Sequence, residues 1–305
     1  MSIVDALGSL FDAQMTGEVS VLNAANPEST GWRYLTYATL HVAAGSTIDL
    51  ATGESEVAIV PLSGDIVVDV NGGTYRLARG DVWRDAGSVL YVPPGESLHL
   101  STSSGAVFAV GGAPADPVYP VRMIEAADVR VEMRGGGTAH RQVSHLLAPP
   151  IEAHRLILYE VRVPRGSWSG WPPHCHDGYR GSPYLEETYY FELQPSNGFA
   201  IHRNFRDIGD ATDGASGGAN HAANGDATDG VASIDETFVA RHRDLVTVPA
   251  GYHTTAACPG SHMYFLNFLA GDLEHDGRRT PPCFDDRFTW IDGHWDDHPL
   301  DLPTR

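Results

Sequence analysis

Leu90-Tyr91-Val92-Pro93-Pro94-Gly95, with Leu98-His99 close behind, has a counterpart about 155 residues further along in Val246-Thr247-Val248-Pro249-Ala250-Gly251, followed by Tyr252-His253. In both phrases a β-branched apolar run stops at a Pro-x-Gly turn, and a histidine follows. A phrase repeated at that distance points to a duplicated unit. Around both copies, short segments rich in Val, Ile, Thr, Tyr and Phe alternate with Gly, Pro, Asn and Asp clusters, whereas long 3.6-residue periodicity is hard to find beyond the opening dozen residues. The pattern predicts strands over 56–70 (two, around a turn at Ser63-Gly64-Asp65), 89–92, 98–102 and 106–110, then 156–163, 184–193, 199–205, 244–249 and 262–269. The expected fold class is all-β, with two tandem sandwich or jelly-roll units. The chain divides into an N-terminal segment 1–30, a first unit 31–112, a connection 113–150, a second unit 151–271 and a tail 272–305. Residues 207–235 are mostly Gly, Ala, Asp, Asn and Ser, and read as a flexible acidic surface insertion whose His221 is not expected to be a ligand.

Composition narrows the function. The 305 residues are 42% hydrophobic, enough for a substantial core, and carry a formal net charge of −19. Such a surface repels phosphate backbones and anionic bilayers, so neither nucleic acid nor a membrane is an expected partner. Every one of the 20 basic residues is Arg; a lysine-free acidic chain suits either a salt-rich cytoplasm or a high-GC codon bias. Cys175, Cys258 and Cys283 are too few and too scattered for a disulfide framework, which makes a reducing, cytoplasmic location the expectation. Residues 1–13 lack the basic start of a signal peptide, and no run of eighteen apolar residues occurs.

The chemistry concentrates in Pro172-Pro173-His174-Cys175-His176-Asp177. On a strand His174 and His176 project from one face, a spacing suited to chelating a divalent ion. Alone, a His-x-His pair is weak among 15 histidines. The strand that follows strengthens it. Alternation sorts Leu185, Glu187, Tyr189, Phe191 and Leu193 onto an apolar face, and Glu186, Thr188, Tyr190 and Glu192 onto a polar, solvent-side face. Glu187 is then an inward carboxylate that demands a partner, which a metal held by neighbouring histidines would supply. His253, after Pro249-Ala250-Gly251, offers a fourth ligand. His174, His176, Glu187 and His253 would bind one Zn²⁺, Mn²⁺ or Fe²⁺ with positions left for water or substrate, and no organic cofactor is expected. Cys175 should face the other way and pack inertly. The first unit has no His-x-His, and His99 reads as an ordinary histidine.

His-x-His, then Glu on the next strand, then His after Pro-x-Gly resembles the cupin superfamily metal site, although ten residues separate His176 from Glu187 where the common motif has three or four. Longer phrases are more specific. Pro164-x-Gly166-x-Trp168-Ser169, Pro172-Pro173-His174-x-His176-Asp177, Leu185-Glu186-Glu187-x-Tyr189-Tyr190, Gly198-Phe199-Ala200 with Arg203, and Val248-Pro249-x-Gly251-Tyr252-His253 together resemble the 5-deoxy-glucuronate isomerase family of inositol catabolism. Tyr91-Val92-Pro93-Pro94-Gly95 in the first half, and Arg134-Gly135 with Arg141 in the connection, extend the similarity over roughly residues 55 to 271. Cys175, His202 and Gly170-Trp171 depart from the family's usual residues, and the acidic insertion is foreign to it.

The resemblance implies a bicupin that converts the aldose 5-deoxy-glucuronate to the ketose 5-dehydro-2-deoxy-gluconate by metal-assisted proton transfer. A cupin dioxygenase, an isomerase of another sugar acid, and a non-catalytic sugar-binding cupin are the alternatives; oxygen consumption, or tight uronate binding without turnover, would separate them. Arg203 shares a face with Phe199, Ile201 and Phe205, so it is expected to point inward and to need an anion: the uronate carboxylate, which it would clamp, or a protein acid in an ion pair. Tyr189 is a further substrate-binding candidate, alongside its core-packing reading. Tyr252 and His202 are candidates for moving the proton. The sequence leaves self-association into a homo-oligomer open.

Overall fold

The computed structural model describes residues 12–206 and 233–295. Its first unit is one antiparallel sheet of ten strands: β1 (Asp12–Thr16), β2 (Val19–Ala25), β3 (Thr36–Val42), β4 (Thr47–Ala51), β5 (Ser55–Val70), β6 (Gly73–Arg79), β7 (Val89–Val92), β8 (Ser97–Ser101), β9 (Ala106–Pro114) and β10 (Arg122–Ile124). The expected turn at Ser63-Gly64-Asp65 is absent, because β5 runs on as a single strand. It bends at a bulge between Pro61 and Ser63, pairing first with β7 and β9 and then with β6 and β8. Proline has no N–H for the ladder, so a bulge is where a strand tolerates it. The sheet closes on Leu40, Ile59, Ile66, Val68, Leu100 and Phe108.

The second unit faces two sheets. One runs β11 (Arg130–Arg134), β12 (Arg141–Leu147), β13 (Ile157–Val163), β20 (His262–Gly271), β15 (Leu185–Gln194), β18 (Leu245–Val248). The other runs β17 (Ile234–Ala240), β16 (Ala200–Arg206), β19 (Tyr252–Ala257), β14 (Trp168–Cys175), β21 (Cys283–Phe284). Val161, Val163, Phe191, Leu193, Met263 and Phe265 fill the space between them. The stretch 113–150, expected as a connection, contributes three strands: β10 completes the first sheet, and β11 and β12 extend the second unit. Residues 1–11 and most of the acidic insertion, 207–232, lie outside the described residues; the insertion's last residues, from Ile234, already belong to β17.

A third apolar cluster joins the units, with Tyr37, Val60 and Tyr91 from one and Leu158, Tyr190, Leu266 and Phe268 from the other. This explains why Glu186 is not a solvent-side residue, as alternation alone suggested. The outer face of β15 is covered by the first unit, and Glu186, 2% exposed, accepts the backbone N–H groups of Arg33, Tyr34 and Leu35 at 2.6–2.9 Å. Glu56 on β5 does the reciprocal job, accepting from the N–H groups of His154, Arg155 and Leu156 at 2.6–2.7 Å. Each unit thus satisfies the backbone entering the other's sheet with a buried carboxylate, which removes the penalty of unpaired N–H groups there. The fully buried Arg79–Glu160 pair at 2.8 Å crosses the same boundary.

Candidate metal centre

His174 and His253 are register partners on adjacent strands β14 and β19, and their rings lie 4.4 Å apart. The pairing survives an irregular stretch between Ser169 and His174, where Gly170 turns at φ +64°, a left-handed conformation that costs glycine nothing. His176 follows at the end of β14, its ring 5.0 Å from that of His253. On the His253 side, Gly251 sits at φ +84° with the Phe205 carbonyl where a Cβ would go, 2.9 Å away, and its N–H donates to Asp177 Oδ2 at 2.7 Å. Asp177, also ion-paired with Arg206, therefore ties the end of the His-x-His strand to the turn that presents His253.

One nitrogen from each of His174, His176 and His253 can be chosen so that all lie within 4.8 Å of one another. Glu187 enters from β15 across the barrel, its Oε2 2.8 Å from His176 Nε2 and 3.2 Å from His253 Nε2. The Nδ1–H of His176 donates to the Leu185 carbonyl at 2.8 Å, so its Nε2 meets the carboxylate either as an imidazolium N–H or with a cation between them. His253 is fully buried; among the described residues its Nδ1 has no hydrogen-bond partner, and its Nε2 has only the Glu187 contact. Burial disfavours the charged forms, but His176 and His253 outweigh it and hold Glu187 well below the usual carboxylate range. Conversely, Glu187 overcomes burial to raise His176, while burial, then His253 and His176, push His174 well below its usual value. Orphaned imidazole nitrogens around an ionised carboxylate fit a borderline divalent ion with a three-histidine, one-carboxylate donor set.

His174, the partly exposed member, opens onto a cavity of about 610 Å³ lined also by Arg134, Arg141, His145, Tyr159 and Trp171. Arg141, at the start of β12, makes a single hydrogen bond, Nη1 to the Ala139 carbonyl at 3.0 Å, and pairs with no carboxylate among the described residues. Burial, and then the charge of Arg134, lower its pKa to about 10. A guanidinium so placed seeks an anion. Arg278, on the same wall, is spent on backbone carbonyls of Leu147, Ile151, Leu156 and His275. His145 Nε2 lies 3.0 Å from Glu132 Oε1.

The other residues singled out in the sequence fall in different places. Tyr189 is buried inside the barrel, its ring 6.1 Å from that of His253. His202 stacks on His253 at 6.2 Å and accepts no charge readily, since burial and then His253 depress its pKa to about 3. Tyr252 lies on the opposite face of β19 from His253, packed with Cys175 and Phe205, because adjacent strand residues point apart. Cys175 is fully buried there. Arg203 is a correction: it faces outward and is ion-paired with Asp235, Nε to Oδ1 at 2.8 Å. Alternation put the wrong set inside, except at Phe205, which is buried near the end of the strand. Ala200, His202 and Asn204 are buried, whereas Phe199 and Ile201 are 44% and 40% exposed. Arg141 was legible only as part of a resemblance, because its strand lies in what reads as a connection.

Residues 10–291 match the model of the KduI/IolB family. The chain is 33% identical over 261 residues to a 5-deoxy-glucuronate isomerase of Geobacillus thermodenitrificans, covering 84% of this chain and 87% of that protein. It is 28% identical over 265 residues to the 5-deoxy-glucuronate isomerase of Bacillus subtilis strain 168, covering 85% and 89%. Among solved structures, an IolB-like protein from Salmonella typhimurium LT2 superposes with a TM-score of 0.76 at 29% identity, over 93% of this chain and 100% of that one. An oxalate decarboxylase of Lactobacillus farciminis, 12% identical with a TM-score of 0.55 over 88% of both chains, shares the fold.

Proposed function

The chain belongs to the KduI/IolB family and is an isomerase of this kind; from that premise we propose that it converts 5-deoxy-D-glucuronate to 5-dehydro-2-deoxy-D-gluconate in myo-inositol catabolism. One observation carries the reading: a single cavity has His174 of the ligand cluster on one wall and the unpaired Arg141 on another. A uronate offers a carboxylate at one end and an aldehyde beside a hydroxyl at the other, so it can engage both walls at once. Arg141 binds the carboxylate through its planar fork and fixes the direction in which the sugar lies. A divalent ion held by His174, His176, Glu187 and His253 would supply Lewis-acid stabilisation of the oxygen that gains charge during proton transfer. His145, whose pKa is lowered by burial and which Arg130 and Glu132 orient, takes the C2 proton and, after exchange with solvent, delivers a proton to C1. Trp171, in contact with Phe288, lines the cavity and offers an aromatic face to the sugar. Proton NMR of the protein incubated with the deoxy-uronate in D₂O tests the proposal. Ketose carrying deuterium at C1 is the expected product; unchanged aldose would overturn it.

A further inference from the structure

A second histidine cluster lies at the junction of the two units, outside the cavity just described. His154 precedes β13, and Glu274 and His275 follow β20; one ligand atom from each lies within 4.8 Å of the others. His154 is 3% exposed, yet neither of its ring nitrogens has a hydrogen-bond partner among the described residues. A buried imidazole left so is unfavourable, and a bound group would remove that penalty. Its Nε2 stands 3.9 Å from Glu274 Oε2 and 3.9 Å from Asp116 Oδ2. Those separations are too long for hydrogen bonds but fall within the span of two metal–ligand bonds of about 2.1 Å each.

The surroundings orient the donors. Tyr119 OH engages His275 Nδ1 at 2.9 Å, which leaves Nε2 for a ligand. Arg155 occupies Glu274 Oε1 and leaves Oε2 turned toward His154. The His275 N–H donates to the His154 carbonyl at 2.7 Å, holding the two segments together, and the rings meet edge to face at 4.6 Å. A surface cleft lined by Asp116, His154, Arg155 and Glu274, and on the first unit by Pro94 and Gly95, gives an ion a way in.

We propose that His154, His275 and Glu274, with Asp116 or water completing the shell, form a second divalent-cation site of the Zn²⁺ type. Two imidazoles and a carboxylate suit that ion, and the ion would clamp the segment after β20 to the boundary between the units. Its role is structural, since the site shares no residue with the cavity.

The test is zinc stoichiometry. Metal-stripped full-length protein is equilibrated with excess Zn²⁺, desalted and analysed for zinc, beside His275→Ala and Glu274→Gln, both at positions more exposed than the buried His154. Each variant should hold one equivalent less than the parent chain. In a His174→Ala background, a hundredfold excess of Zn²⁺ over its Kd should raise the thermal midpoint by about 5 °C, and His275→Ala should abolish that rise. Equal zinc content in parent and variants, or an unchanged rise, would overturn the site.

Discussion

Replacing Arg141 with alanine should separate function from folding. The guanidinium lines the cavity with one backbone hydrogen bond and no carboxylate partner among the described residues, and burial already depresses its pKa to about 10. In the free protein it is therefore an under-compensated charge, and its removal should leave the thermal midpoint unchanged or higher. Substrate binding is where it does its work. A bidentate charge-assisted pair sheltered from solvent is worth about 2–4 kcal/mol, so Arg141→Ala should lower kcat/KM by roughly 30- to 1,000-fold. Arg141→Lys keeps the charge but not the fork and should lose about tenfold. The assay is ketose formation from the deoxy-uronate, paired with an analogue whose carboxylate is replaced by a hydroxymethyl group. The parent protein should discriminate strongly against the analogue, and Arg141→Ala hardly at all, because substrate and side chain then form a coupled pair. Metal content should not change. A variant within twofold of the parent, or one that still rejects the analogue fully, would refute the carboxylate assignment.

Three further substitutions follow from the same geometry. Arg203→Ala, which removes an exposed ion pair with Asp235, should leave the midpoint of a denaturant titration nearly unchanged and change kcat/KM by less than about twofold in a turnover assay. Glu186→Ala strands the backbone N–H groups of Arg33, Tyr34 and Leu35 and should cost at least about 3 kcal/mol in equilibrium unfolding, with Glu186→Gln milder. His145→Gln should cut kcat by about 100-fold with little effect on KM, measured under saturating substrate.

Alternation along β15 was enough to mark Glu187 as an inward carboxylate, and His-x-His with Pro-x-Gly-x-His was enough to assemble its neighbours. The same arithmetic decided nothing about which residues a second layer would cover. Glu186 looked solvated because the sequence of one unit does not say that the other unit packs on its outer face. Arg203 looked inward because Phe199 and Ile201 flank it, yet the interior of that sheet is occupied by the polar His202 and Asn204. Polar lining is what a reaction site requires, and it reverses the usual hydrophobic vote. Tyr252 could have been set aside from the sequence itself, since a strand that points His253 inward must point its neighbour out. The strand bearing Arg141 was hidden because its neighbour β11 is a charged, exposed edge strand, and β12 itself is buried from Val143 to Leu147 without the apolar–polar alternation that marks a strand.

Turnover of 5-deoxy-D-glucuronate before and after removal of bound metal tests the account most directly. The protein is assayed by NMR as purified, after chelation to below about a tenth of an equivalent, and after reloading with Mn²⁺, Fe²⁺ or Zn²⁺. The account predicts that ketose formation disappears on chelation and returns with at least one of these ions, and that His174→Ala never recovers it. Ketose formed at the original rate by the stripped protein, or none formed by the fully loaded one, would contradict it.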